Sequence, residues 1–265
     1  MNSSLKQKSP IELLSKAKTR LIQMHYDANS GHVGGNLSCF DTLFVLFHYI
    51  LDDKDRFILS KGHSAGALYV ALWSIGKLSD DALGTFCKDD SHLPGHPSGM
   101  GIPGLMFPTG SLGHGSSLAV GLALAAKKQK SGRKVYCLCS DGEWQEGSCW
   151  EALIFAVHHK LDNLTILIDQ NGLQGFGTTE EVISCGDLQT RLSSFGANVI
   201  SCKGHDHEAI RSALELPSDS PKIIVLNTVK GKGTLYENKI ESHYLPLTKE
   251  NYEFSIGQIQ KEFNL

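Results

Sequence analysis

No apolar run in this chain reaches the roughly 18 residues that a membrane-spanning helix needs, and the opening stretch MNSSLKQKSP lacks the apolar core of a secretory signal. These two absences predict a chain that neither crosses a membrane nor is exported. A basic excess is missing as well: Lys and Arg number 25 against 28 Asp and Glu, a net charge of -3. That balance argues against nucleic acid or an anionic membrane as a partner. The seven cysteines form no CxxC pair, and Cys137 and Cys139 fall inside a predicted buried strand, so a reducing cytoplasm is the expected location. Internal repeats and low-complexity tracts are absent too, which leaves an ordinary globular chain. At 41% hydrophobic and 20% charged residues it has material for a sizeable core.

The pattern that is present reads as one α/β domain over residues 1–265, a mostly parallel sheet with helices on both faces. Short apolar runs predict strands at 56–59, 135–140, 164–169, 197–202 and 223–228. Helices are expected at 10–27, 38–50, 64–75, 79–87, 116–131, 146–160, 186–195 and 206–215. Residues 88–115 are a long Gly/Pro-rich stretch, of the kind that is usually functional inside a compact domain. Residues 235–247 read as a mobile loop able to order over a ligand, and the tail 248–265 as a short helix for docking on a partner.

The chemistry begins at Asp141-Gly142-Glu143, followed thirty positions later by Asn171-Gly172. Asp141 terminates the strand VYCLCS and Asn171 follows the strand LTILID, with a helical crossover between them. Both side chains therefore emerge at the carboxyl edge of a parallel sheet, where such sheets bind ligands. Magnesium takes hard oxygens and usually accepts one or two from side chains, leaving the remainder to phosphates and water. One carboxylate, one amide oxygen and a backbone carbonyl near Leu173 suit a divalent cation carrying a diphosphate. Each DG or NG pair alone is an ordinary turn signal; the pairing at matched strand ends is what points to a metal.

Seven blocks extend this reading: SGHVGGNLS at 30–38, DRFILSKGHSAGALY at 55–69, GHPS at 95–98, PTGSLGHG at 108–115, SDGEWQEGSCWEA at 140–152, IDQNGLQGFG at 168–177 and TVKGKGT at 228–234. In kind and order they resemble the amino-terminal, diphosphate-binding part of transketolase, from about residue 10 to about residue 247. The resemblance implies the thiamine diphosphate-binding fold with thiamine diphosphate and Mg2+, or another divalent cation, as cofactors. It implies Asp141, Asn171 and the Leu173 carbonyl as metal ligands, and Asp141, Gly142 and Glu143 against the diphosphate. His63, His243 and Lys230 then lie near the cofactor, and Gly110, Ser111 and Leu112 form the loop that meets its aminopyrimidine. His32 and His96 face the sugar, joining His63 and His243 as the histidines expected to move protons. Glu146 and Glu151 resemble acidic residues that join paired active sites at a subunit interface.

Of the twelve histidines, His25, His48, His158, His159, His205 and His207 lie outside the blocks and read as ordinary helix or surface residues. His92 and His96 are spaced four apart, yet the Pro/Gly-rich SHLPGHPSG and the lack of a Cys pair argue against zinc. Val33, His114, Ser140 and Tyr244 depart from the family's pattern without removing a metal ligand. Val33 and Tyr244 flank expected substrate contacts and bear on sugar specificity.

The resemblance also implies what is missing. In the family a glutamate that activates the cofactor comes from a pyrimidine domain, and no matching block occurs in the 265 residues. A separate subunit carrying the pyrimidine and carboxyl-terminal domains is the expected partner, in an α2β2 heterotetramer acting on sugars or sugar phosphates by two-carbon ketol transfer. Two alternatives stay open at this level: a thiamine diphosphate enzyme that uses a ketoacid donor, and a non-catalytic subunit that binds the cofactor for a partner.

Overall fold

The computed structural model describes residues 10–98 and 101–264. The opening stretch read above for a signal therefore lies largely outside the described residues, as do two positions of the 88–115 segment. A single five-stranded sheet organises the chain: β1 (Arg56–Leu59), β2 (Val135–Ser140), β3 (Leu164–Gln170), β4 (Asn198–Lys203) and β5 (Lys222–Asn227), in the order β1-β2-β3-β5-β4. Every pairing is parallel. Parallel neighbours need crossovers, and the helices that provide them cover both faces, so the strands read as continuous apolar runs.

Eleven α-helices are present among the described residues. Before β2 come α1 (Pro10–Asp27), α2 (Val33–Val45), α3 (Ala65–Ser74), α4 (Asp80–Leu83) and α5 (His114–Lys128). After it follow α6 (Gly147–His158), α7 (Thr179–Ile183), α8 (Leu188–Ser194), α9 (His207–Glu215), α10 (Glu241–Tyr244) and α11 (Lys249–Glu262). The period-2 geometry of the strands sorts the core into two layers. Val135, Cys137 and Cys139 of β2 pack with α5, α6 and α8, whereas Tyr136 and Leu138 pack with α1, α2 and α3. Each fully buried Leu or Ile in these layers contributes on the order of 2 kcal/mol relative to exposure.

The five strands fall within a residue of their expected positions; the differences lie in helices and loops. The helix expected from 38 begins at Val33, because Gly34 and Gly35 are helical and pack against neighbours: a Cβ on Gly34 would lie 2.3 Å from Ser242 Oγ. Its last turn widens to a π-helix at Leu46–Ile50. The expected helix 79–87 is confined to α4. Residues 235–247 are folded rather than loose. Ser242 is buried, the Gly231 amide donates to the Gly34 carbonyl, and Tyr244 Oη donates to the Gly175 carbonyl. The tail forms α11 and docks on the chain's own first helix, with Tyr252 stacked on Tyr26 and Lys18 paired to Glu262 at 3.0 Å.

Candidate functional site

The carboxyl ends of β1, β2, β3 and β5 open into one cavity of about 400 Å3, lined by His32, His63, His96, Gly110, Leu112, Asp141, Gly142, Glu146, Asn171, Leu173, Gln174, Lys230, His243 and Tyr244 among others. Segments some two hundred residues apart in sequence are thus brought to a single sheet edge, the edge that sequence reasoning selected.

Asp141 follows β2 directly. Its Oδ1 accepts from the Gly142 amide at 2.8 Å and its Oδ2 from the Gly172 amide at 2.6 Å, so the carboxylate reaches across to the tip of β3. Asn171 lies at that tip, where its Oδ1 accepts from the Leu173 amide and its Nδ2 donates to Asp169. Leu173 continues the turn, and its carbonyl accepts from Lys230 Nζ at 2.8 Å. A carboxylate, an amide oxygen and a carbonyl are therefore gathered where two strands end, a hard-oxygen donor set of the kind a divalent cation takes. Burial, and then the charge of Asp169, push the Asp141 carboxyl up to about 6. A bound dication would relieve that penalty. Gly142 is held by close packing, since a Cβ there would lie 2.7 Å from Gln174 Oε1. Gln174 Nε2 is itself buried without a protein partner, a donor left for something in the cavity.

Four imidazoles form the opposite wall. His32 lies 4.9 Å from His243, 5.7 Å from His96 and 5.9 Å from His63, ring centre to ring centre. Its backbone adopts the left-handed region at φ 64°, a conformation of order 1 kcal/mol or more above ordinary ones, fixed by a hydrogen bond that its amide donates to the His243 carbonyl at 3.0 Å. All four histidines are shifted toward the neutral form. Burial, followed by the charge of Lys61, puts His63 well below the usual range; burial, followed by Lys230, brings His243 down to about 3. His32 and His96 are lowered chiefly by burial. Lys230 Nζ lies 3.0 Å from His243 Nδ1, and as the ammonium can only donate, the proton of that ring belongs on Nε2. Burial, then repulsion from Lys61, lowers Lys230 to about 8.

One expected cofactor contact lands elsewhere. Glu143 is fully buried and does not line the cavity: its carboxylate accepts from the Gly113 amide at 2.8 Å, the Ser140 amide at 3.2 Å and Ser60 Oγ. It fastens the loop that carries Gly110 and Leu112. Ser111 is exposed and faces a separate recess beside Pro108 and His114, because the loop turns its two neighbours inward and Ser111 outward. Glu146 reaches the cavity rim, whereas Glu151 is exposed on α6 and away from it.

Sequence reasoning missed Lys61 and Asp169. Lys61 Nζ binds Asp169 Oδ2 with both side chains fully buried, and Ser38 Oγ, Thr228 Oγ1 and Asn171 Nδ2 converge on the same carboxylate. The signal was available: an acid as the last residue of the β3 apolar run and a lysine in the turn directly after β1 have no solvent to face once those strands are buried. Asp169 thereby fixes the amide of Asn171 with its oxygen free of the pair.

Comparison with known proteins agrees with this geometry. A family model described as the thiamine diphosphate binding domain of transketolase matches residues 14–262. The chain is 39% identical to one of the subunits of the apulose-4-phosphate transketolase of Phocaeicola vulgatus, over 95% of this chain and 94% of that protein. It is 37% identical to a 6-deoxy-6-sulfo-D-fructose transketolase subunit of Clostridium sp., over 88% of this chain and 89% of that one. Among solved structures, transketolase from Leishmania mexicana superposes with a TM-score of 0.86 at 30% identity over 97% of this chain. This chain spans 41% of the length of that enzyme.

Proposed function

The chain belongs to the transketolase family, as a thiamine diphosphate-binding domain, and from that premise we propose that it is the amino-terminal subunit of a two-component transketolase. It would move a two-carbon ketol unit from a ketose to an aldose, either of them free or phosphorylated. The observation that carries this reading is the meeting, on one cavity, of oxygen donors for a cation and four imidazoles.

When bound, thiamine diphosphate supplies a thiazolium able to accept the electron pair released as the carbon–carbon bond of the ketose breaks. Asp141, Asn171 Oδ1 and the Leu173 carbonyl would hold the divalent cation, and Lys230, already on the Leu173 carbonyl, adds positive charge beside the diphosphate. Neutral rings at His32, His63, His96 and His243 can each accept or donate a proton, which suits hydroxyl and carbonyl oxygens that exchange protons in both directions. Tyr244 lines the cavity next to His243 and is tied to the Gly175 carbonyl at 2.8 Å, which narrows the substrate end. Lys230 is the one cationic side chain of this wall among the described residues, so we assign the grip on a sugar phosphate to the partner.

A partner is supported by the names of the relatives, which are those of subunits. The assembly we propose is α2β2, with Glu146 and Glu151 toward the interface. Seven free cysteines support a cytoplasmic setting, and among the described residues no helix is long and apolar enough to cross a membrane. Mixing the chain with a subunit carrying the pyrimidine and carboxyl-terminal domains, in the presence of thiamine diphosphate and Mg2+, should yield ketol transfer that neither chain shows alone. Full activity of this chain by itself would contradict the two-chain arrangement, and transfer from pyruvate but not from ketoses would contradict the ketol donor.

A further inference from the structure

A second polar cluster lies behind the cavity, built from residues that neither the motifs nor the site explain. Asp41 on α2 is buried, and its carboxylate accepts from Lys18 Nζ at 3.2 Å, His205 Nδ1 at 2.9 Å and His207 Nε2 at 2.9 Å. Burial raises its carboxyl, yet the bonds from His205 and His207, with the charge of Lys18, hold it below the carboxylate range. The other contact of His207 is with an apolar ring, Phe44 at 5.7 Å between ring centres. His205 reaches further: its other nitrogen, Nε2, accepts the Val229 amide at 2.9 Å. The amide can only donate, so the ring carries its proton on Nδ1 and gives it to Asp41.

Val229 precedes Lys230, whose ammonium reaches the Leu173 carbonyl and His243 in the cavity. Past Thr228, whose amide bonds the Gln170 carbonyl, the sheet ladder offers the Val229 amide no strand partner. The imidazole takes that place. It can do so because the turn before α9 seats tightly on the end of β5: a Cβ on Gly204 would lie 2.3 Å from Thr228 Cγ2, and the Gly204 amide bonds the Asn227 carbonyl at 2.9 Å.

We infer that His205, oriented by Asp41, is a positioning residue that fixes the backbone at Val229 and so aims Lys230 at the diphosphate end of the cavity. This rests on the reading of the cavity as the thiamine diphosphate site. Outer groups that orient the residues around a bound cation typically change its affinity by about 10- to 100-fold when removed; Lys230 stands at that remove, on the donor carbonyl of Leu173, and His205 acts on it through Val229.

The test compares His205→Leu with His207→Leu, which loses a bond to the same carboxylate without touching the loop. Affinity for thiamine diphosphate with Mg2+ is measured by calorimetry, and the unfolding midpoint without cofactor by circular dichroism. Both leucine variants should lower the midpoint, but only His205→Leu should bind cofactor about 10- to 100-fold more weakly. His205→Gln, whose amide oxygen can replace Nε2 as acceptor, should return to within a few-fold of the unmodified chain. Equal affinity losses in the two leucine variants, or an unchanged affinity in His205→Leu, overturn the inference. Should His205→Leu not fold, His205→Asn, whose amide stops short of Val229, takes its place with the same expected loss. An unmodified chain that binds no cofactor would instead overturn the reading of the cavity itself.

Discussion

Asp141 and Asp169 are both buried carboxylates at the carboxyl edge of the sheet, and their surroundings divide the work between them. Asp169 is neutralised by Lys61 and held below the usual carboxylate range, burial being outweighed by that pairing, while Asp141 has backbone amides and no cation of its own. The first is structural support and the second is left to bind. Replacing one member of a buried pair strands the other, at a cost of about 3–5 kcal/mol. Asp169→Ala should therefore lower stability by that order in urea titration, with a further loss of cation affinity because Asn171 is no longer oriented. A loss under about 1 kcal/mol in such a titration would show that Lys61 finds another partner. His25 sets an acid limit. It is completely buried, Nδ1 lies 3.0 Å from the Leu21 carbonyl, and burial lowers it to about 4. Between that value and the ordinary one of about 6.5 the unfolded chain holds a proton that the folded one refuses, so stability rises with pH across this window. His25 alone should remove up to roughly 3 kcal/mol between pH 6.5 and 4; His25→Leu should flatten the pH dependence of urea midpoints, and an unchanged slope would refute the assignment. At this scale the proposed ligands were legible because Asp141 and Asn171 stand together at matched strand ends, although each pair alone is an ordinary turn signal. The sequence concealed the burial of Glu143, since that carboxylate is turned inward by bonds from Ser60 and Gly113 that no local pattern contains.

The elements were legible to the extent that their signal is local. Five apolar runs of four to seven residues, each bounded by turns, marked the strands, and a parallel sheet follows once helices separate them. The start of α2 was hidden because Gly34 and Gly35 argue for a loop, while close approach to Ser242 and His63 requires them in the helix. α7 carried a readable capping box, with Thr178 and Glu181 bonded reciprocally, but its five residues show no apolar period. α11 was visible only as scattered apolar positions; Ile259, Tyr252 and Phe263 acquire meaning from α1, more than two hundred residues away. Its amino terminus is capped by Thr248 Oγ1, which accepts from the Asn251 amide at 3.1 Å. Thr248→Ala should cost about 1 kcal/mol, measurable as a shift in thermal midpoint, and should spare cofactor affinity because α11 does not line the cavity. A variant that keeps its stability yet binds cofactor poorly would place the carboxyl-terminal helix in the site rather than behind it.

For the molecule as a whole, sheet order explains why one edge collects everything. The chain advances from β1 through β3, leaps to the outer β4 and returns through β5, so the segments after β1, β2, β3 and β5 all discharge into the same cavity. Long-range packing of Gly62 against the backbone of Thr109 then seats the Gly110 loop beside the turn after β1, with Gly110 against His96. On the proposed reading this cavity supplies a cation seat and proton-exchanging rings, and the acid that would activate an aminopyrimidine is the part we assign to a partner. The central claim is that Asp141 and its neighbours seat a divalent cation bonded to thiamine diphosphate. Mn2+ in place of Mg2+ permits a direct reading, because pulsed electron paramagnetic resonance detects phosphorus nuclei bonded through oxygen to the metal. The chain with Mn2+ and thiamine diphosphate should show a phosphorus coupling that vanishes in Asp141→Ala. A coupling that persists unchanged in that variant, or none in the unmodified chain, would contradict the account.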